Sequence, residues 1–366
     1  MVPADLFVTI LLILVTDLNA MRRTSLLLVM FFLAVTGYGQ DIHFSQFYAA
    51  PLNLNPSQTG MMNGNLRAIL NYRNQWNSFA PFTTYNGSLD VNIGHNFLDH
   101  DLIGIGVNFY NDVAGDAEFS TTHASLSVSY IKTMGNKFAR NYLSVGFSGG
   151  MVQRSVDYNQ MTFGSQFNGY EYDPGLFSGE YIGFENLSYF DLAGGITWML
   201  VPKDQLNFYM GLAFHHLNSP DQSFTGLTSD NLYMKTTGNM GAQIPVGAAR
   251  NAFLVPAVMA MIQGPHYQLN GGMSVRYIIN DLDYKSTAVQ LGVFQRVGLN
   301  EQTDYRSDAT IVAARFDYLN LSVGMSYDVN VSTLQDASNA MGGPEVSLTF
   351  TSDLPHRDRK VDCPKF

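Results

Sequence analysis

The sequence predicts an all-β chain: an antiparallel transmembrane β-barrel of outer-membrane type with about fourteen strands. Three observations predict it. Side chains alternate with a period of two between an apolar face and a face of small polar residues. Many of the alternating segments reach the roughly 9–11 residues of a tilted membrane crossing, more than the 5–6 usual for globular strands. Only 14% of the 366 residues are charged, against the roughly 25% of a soluble globular chain.

Residues 319–331 display the alternation most clearly. Leu319, Leu321, Val323, Met325, Tyr327, Val329 and Val331 form an unbroken apolar stripe, and Asn320, Ser322, Gly324, Ser326, Asp328 and Asn330 lie opposite. Ile103, Ile105, Val107 and Phe109 repeat it, as do Leu126, Val128 and Tyr130, then Leu143, Val145 and Phe147, then Leu206, Phe208, Met210, Leu212 and Phe214. A soluble sandwich also alternates, but its wet face normally carries many Lys and Glu residues. Here that face is Ser, Asn and Gly with an occasional Arg or Asp, which suits a crowded polar lumen. Several stripes end in aromatics, as an interfacial girdle does.

In chain order, residues 1–39 read as a leader. A signal peptide starts at Met21, with Arg22 and Arg23 before an apolar run and Gly37-Tyr38-Gly39 as a small-residue exit, and 1–20 read as an upstream extension. Residues 40–64, including "QDIHFSQFYAAPLNLNPSQTG", have no steady period, two prolines and five amides within that quoted stretch, and are expected to form a plug or lid. Asn and Gln side chains can satisfy irregular backbone that would otherwise lack partners. A barrel is expected over 65–352, with strands at 65–77, 83–95, 102–112, 119–133, 141–156, 189–200, 206–217, 232–244, 251–263, 266–279, 285–297, 308–318, 320–331 and 344–352. The longest connections, 157–188, 218–231, 298–307 and 332–343, all follow odd-numbered strands and so share one end, expected to be external. The tail 353–366 is charged and holds Pro355 and Pro364, so it is expected in the periplasm, where Arg357, Arg359 and Lys360 are candidates for docking.

The chemistry motifs speak by absence. The net charge of −10 opposes nucleic acid as a partner. The single cysteine, Cys363, rules out a disulfide framework. No P-loop, H-E-x-x-H or C-x-x-C occurs, and an enzyme, cofactor or metal is not expected. His215-His216 is discounted as a metal site because adjacent strand residues point to opposite faces. Arg67, Arg73, Asp90, Arg276, Arg315, Asp317 and Asp328 are candidates to face the lumen, since charge toward lipid costs about 2–4 kcal/mol for Arg near mid-membrane. Two readings of them stay open: a neutralised ladder, or a constricted pore or docking slot.

The segment from Phe44 onward, "FSQFYAAPLNLNPSQTG", with "RNQWNSFAPFTT" at 73–84, resembles the start of the PorP/SprF family of type IX secretion system membrane proteins. The matching positions are Phe44, Ser45, Gln46, Phe47, Asn55, Pro56, Gly60, Gln75, Trp76 and Pro81. The closing Y-D … S-x-L … E-[IV] hairpin is similar to "YDVNVSTLQDASNAMGGPEV", although Gly343-Pro344 stands where Ser-His is usual, and "CPKF" resembles the family's end. The resemblance implies a fourteen-strand outer-membrane barrel without catalysis. It also implies work with type IX export and gliding: supporting export or surface anchoring of a large adhesin-like protein with a sorting C-terminal domain, or linking to periplasmic ring or peptidoglycan-associated components. Outer-membrane lipid would surround it. A passive channel for small solutes is the alternative.

Overall fold

The computed structural model describes residues 41–75, 81–93, 101–115, 117–136, 139–180, 183–203, 206–247, 250–282, 285–299, 305–332 and 342–352. Fourteen antiparallel strands close into one barrel. They are β1 (Leu66–Gln75), β2 (Phe82–Ile93), β3 (Leu102–Ala114), β4 (Phe119–Asn136), β5 (Ala139–Ser155), β6 (Asn186–Lys203) and β7 (Leu206–His215). The second half is β8 (Lys235–Val246), β9 (Ala252–Gln263), β10 (His266–Leu282), β11 (Lys285–Leu299), β12 (Tyr305–Tyr318), β13 (Leu321–Asn330) and β14 (Pro344–Ser352). Each strand pairs with its neighbours in sequence, and β14 pairs with β1 from Leu66↔Ser352 to Arg73↔Glu345. Closure leaves no edge, which a sheet in lipid requires. Among the described residues no helix is long and apolar enough to cross a membrane.

The period of two sets the two faces. Leu126 and Phe147 are 65% exposed and Met325 58%, on the face toward lipid, whereas Asp328 on the lumen face of β13 is 1% exposed. Several strands run past the sequence-predicted ends, β6 and β10 by up to three residues, because hairpin pairing continues beyond the stretch that alternates cleanly. Two irregularities matter. The ladder between β8 and β9 lapses opposite Pro256, which has no N–H to donate. Between β11 and β12 the register shifts, so Asp308 is an extra residue, and its carboxylate accepts from Arg296 Nε at 2.5 Å.

The core is the lumen. Residues 41–65 run through it as three short helical turns, Phe47–Ala49, Pro51–Leu54 and Pro56–Gln58. Pro51 and Pro56 each open a turn where a missing N–H costs nothing, and both interrupt any longer helix. The segment begins where odd strands end: Asp41 meets Lys235 at the start of β8 and Gln263 at the end of β9. It leaves at the opposite mouth, where Asn65 N donates to Ser352 O at the end of β14. The plug therefore spans the barrel lengthwise before becoming β1.

Candidate functional site

Three sets of contacts hold the plug. The first joins the two ends of the sequence. Ser45 N and Gln46 N donate to the two oxygens of Glu345 at 2.7 and 3.0 Å, and Ser45 Oγ donates to Asp328 Oδ2 at 2.7 Å. Gln46 also donates to Ser326 Oγ and accepts from Ser347 Oγ. Around these carboxylates lie Arg73, 3.0 Å from Asp328, and Arg296, 2.8 Å from the same oxygen. Arg73 donates to His43 O and Arg296 to Ser45 Oγ. Buried charges are tolerated only when paired and hydrogen-bonded, and the plug backbone completes the pairing.

The second set sits at the mouth where the plug begins. His216 lies between two carboxylates, with Nδ1 2.9 Å from Asp191 and Nε2 2.5 Å from Asp41, while Lys235 Nζ is 2.9 Å from Asp41. Burial pulls His216 down, but Asp41 and Asp191 outweigh it and raise it to about 9. Burial pushes Asp41 up, yet Lys235 and His216 hold it well below the usual carboxylate range. The opposite-face argument applied to His215-His216 does not hold. His216 is one residue past β7 with φ +58°, so both rings turn inward and both are buried. Among the described residues no group of three or more His, Cys, Asp or Glu is arranged to hold a metal.

The third set is the amide run along β1–β7. Asn53 donates to Asn86 and accepts from Asn108, bridging β2 and β3. The Asn55 side-chain oxygen caps the following turn by accepting from Ser57 N at 2.9 Å, while its NH2 reaches Ile196 O, Thr197 Oγ1 and Leu212 O. Ser144 and Ser129 donate to Ser57 O and Thr59 O, both at 2.6 Å. Gly60, at φ +73°, donates its N–H to Asp90 at 2.8 Å. The wall is thin where the plug presses on it: a Cβ at Gly146 would fall 2.5 Å from Pro56 O, and one at Gly104 would overlap Thr59 O. Opposite, Phe47 and Leu54 share an apolar cluster with Ala257, Met259, Phe294, Ile311 and Ala313. Two spaces beside the plug measure about 30 and 40 Å³, room for water molecules.

The sequence candidates divide accordingly. Phe44, Ser45, Gln46, Asn55, Pro56 and Gly60 are buried in the plug. Gln75 ends β1, and Pro81, whose carbonyl accepts from Gly115 N, precedes β2. Of the charged candidates, Arg67 grips Asp90 with two nitrogens, at 2.7 and 3.0 Å, and also donates to Gln58 O and Met61 O. Arg276 and Arg315 share Asp317, each at 2.8 Å, and Arg73 pairs with Asp328. Trp76, Arg357, Arg359, Lys360, Cys363 and the leader 1–39 lie outside the described residues. Sequence reasoning missed Arg296, Asp308, Asp41, Asp191, Lys235 and the inward Phe294. Arg296 and Lys235 sit at or near strand ends, where alternation is weakest.

The family model for type IX secretion system membrane protein PorP/SprF matches residues 36–350. No curated protein matches the sequence. Among solved structures the chain is similar to CdiB from Acinetobacter baumannii, at 9% identity and TM-score 0.40, covering 78% of this chain and 60% of that one. It is also similar to BamA from Haemophilus ducreyi lacking POTRA domains 1-3, at 11% identity and TM-score 0.40, covering 79% and 70%. CdiB from Escherichia coli aligns at 9% identity and TM-score 0.43, covering 79% and 63%.

Proposed function

Because the chain belongs to the PorP/SprF family of type IX secretion system membrane proteins, we propose that it is a non-enzymatic outer-membrane component of the type IX secretion and gliding machinery that supports export or surface anchoring of a large, adhesin-like secreted protein. The observation that carries this reading is the occupied lumen. Thirteen strands reach the plug through hydrogen bonds or ion pairs, and β12 does so through Ile311 and Ala313 in the Phe47 cluster. A barrel filled by its own chain acts through its surfaces and mouths, not by conducting solutes. The inward charged groups at the plug hold backbone in place, a structural use that favours a scaffold over a catalyst. On this reading the cargo carries a type IX sorting C-terminal domain, and Arg357, Arg359 and Lys360 of the tail meet a periplasmic ring or peptidoglycan-associated component.

The test has two parts. Deleting the chain's gene should remove the adhesin-like protein from the cell surface, measured by protease shaving of whole cells, while its synthesis continues. Purified protein in planar bilayers should give no large steady conductance. A steady conductance with unchanged surface display would replace this reading with the passive diffusion channel.

A further inference from the structure

The β5–β6 and β7–β8 connections build one ordered surface at the mouth where the plug begins. Phe184 N donates to Phe224 O at 2.8 Å, the rings of Phe119 and Phe224 meet at 5.9 Å, and Arg154 donates to Gln222 from beneath. Each connection is braced internally. Gln166 Nε2 donates to Leu176 O at 3.2 Å, Asp173 N donates to Gln166 O at 2.9 Å, and the Asp221 carboxylate accepts from Ser223 N and Asp230 N. Yet several large apolar side chains of this braced surface stand in solvent. Tyr170 is 96% exposed, Phe177 87% and Leu227 71%, with Phe184 and Phe167 also exposed. Large exposed aromatics on hydrogen-bonded connections mark an interaction surface, and Tyr and Phe supply contact area at little entropic cost.

Charge selects the partner. Segments 155–188 and 217–234 contain seven acidic residues and no Lys, Arg or His. Glu171, Glu180 and Glu185 are exposed among the aromatics. An anionic lipid surface or a nucleic acid would be repelled, whereas cations would be drawn in and oriented. We propose that this aromatic, acidic platform docks a basic, apolar polypeptide segment of a partner protein, its hydrophobic side chains on Tyr170 and Phe177 and its cations against Glu171, Glu180 and Glu185. The inference rests on the secretion reading only in taking the partner to be the protein held at the surface.

The probes are short synthetic peptides presented to the purified, detergent-solubilised protein: one basic and aromatic, one acidic and aromatic, one basic without aromatics. The first should bind most tightly, with affinity falling about tenfold from low to high salt. Tyr170→Ser with Phe177→Ser, and separately Glu171→Gln, Glu180→Gln and Glu185→Gln together, should each weaken it about tenfold, with heat-modifiable migration confirming an intact barrel. Equal affinity for all three peptides, or unchanged affinity in both variants, would overturn the proposal. So would salt-independent binding of a neutral oligosaccharide lost in the aromatic variant, which would make the platform a glycan site. Surface display of the cargo separates the two ideas. Peptide results as expected with display unaffected by deleting the gene would leave the platform and sink the anchoring role. Display lost on deletion but peptide binding unchanged in both variants would do the reverse.

Discussion

The two walls of the lumen grip the same segment by different mixtures of contact: one holds it mainly by hydrogen bonds, the other adds an apolar cluster around Phe47. From β2 to β6 the inward side chains that reach the plug include Asn86, Asn108, Ser127, Ser129, Ser144 and Thr197, and they bond its backbone, amides and hydroxyls. From β9 to β12 an apolar group, Met259, Phe294, Ile311 and Ala313, packs on Phe47, whose ring meets Phe294 edge-on at 6.3 Å, while Asn270 and Arg296 beside it bond Ser45. The apolar wall supplies driving force, because burying hydrocarbon is favourable without regard to direction. The polar wall supplies register, because a hydrogen bond is directional and a buried unpaired group is costly. Between the walls, the carboxylates of Asp328 and Glu345 fix the plug's entry with both charge and direction.

Removing a piece of each wall measures the division. Phe294→Ala or Phe47→Ala should destabilise the folded protein most, by about 3–5 kcal/mol, read from urea unfolding in micelles. Asp328→Ala is expected to cost a similar amount, about 3–5 kcal/mol, since Arg73 and Arg296 would keep buried charge with a lost partner. A loss under about 1 kcal/mol at either site would mean that the plug is not part of the cooperative unit.

On the polar wall, Ser144→Ala removes one bond to the plug and should cost only about 1 kcal/mol. The structural consequence is the better readout: Ala50→Cys in a Cys363→Ser background should label slowly in the parent and faster with Ser144→Ala. Identical labelling would deny the polar wall its role in register.

The smallest effect is pH-dependent and belongs to the mouth. His216 is raised from 6.5 to about 9 in the folded state, so its contribution is fully present below pH 6.5 and is lost as pH rises through about 9. Asp41 is lowered, so its share is present above its ordinary 3.8 and is lost as pH falls toward its folded value. Hydrogen exchange at residues 42–45 should therefore accelerate between pH 6.5 and 9 beyond the intrinsic rate change, and His216→Ala should abolish that excess. An excess that survives His216→Ala would assign it to another group.

The sequence by itself determined the barrel and the parity of most strands, because a side-chain period of two is local and lipid imposes it on every crossing. The Ser, Asn and Gly of the inward face already implied a crowded interior, and Gly104 and Gly146 are small because backbone lies against them. What only the tertiary structure decided is who meets whom. Ser45 and Glu345 are separated by 300 residues, and only closure of β14 on β1 brings them together. In β9 both faces are apolar, so periodicity could not say that Phe253, Val255 and Met259 are buried on the inner face and not turned to lipid. Asp308 looks inward only because a bulge re-aims it, and His216 because the chain turns left-handed one residue after its strand. Local pattern dictates which face a side chain takes, but pairings across a closed ring depend on every strand between them.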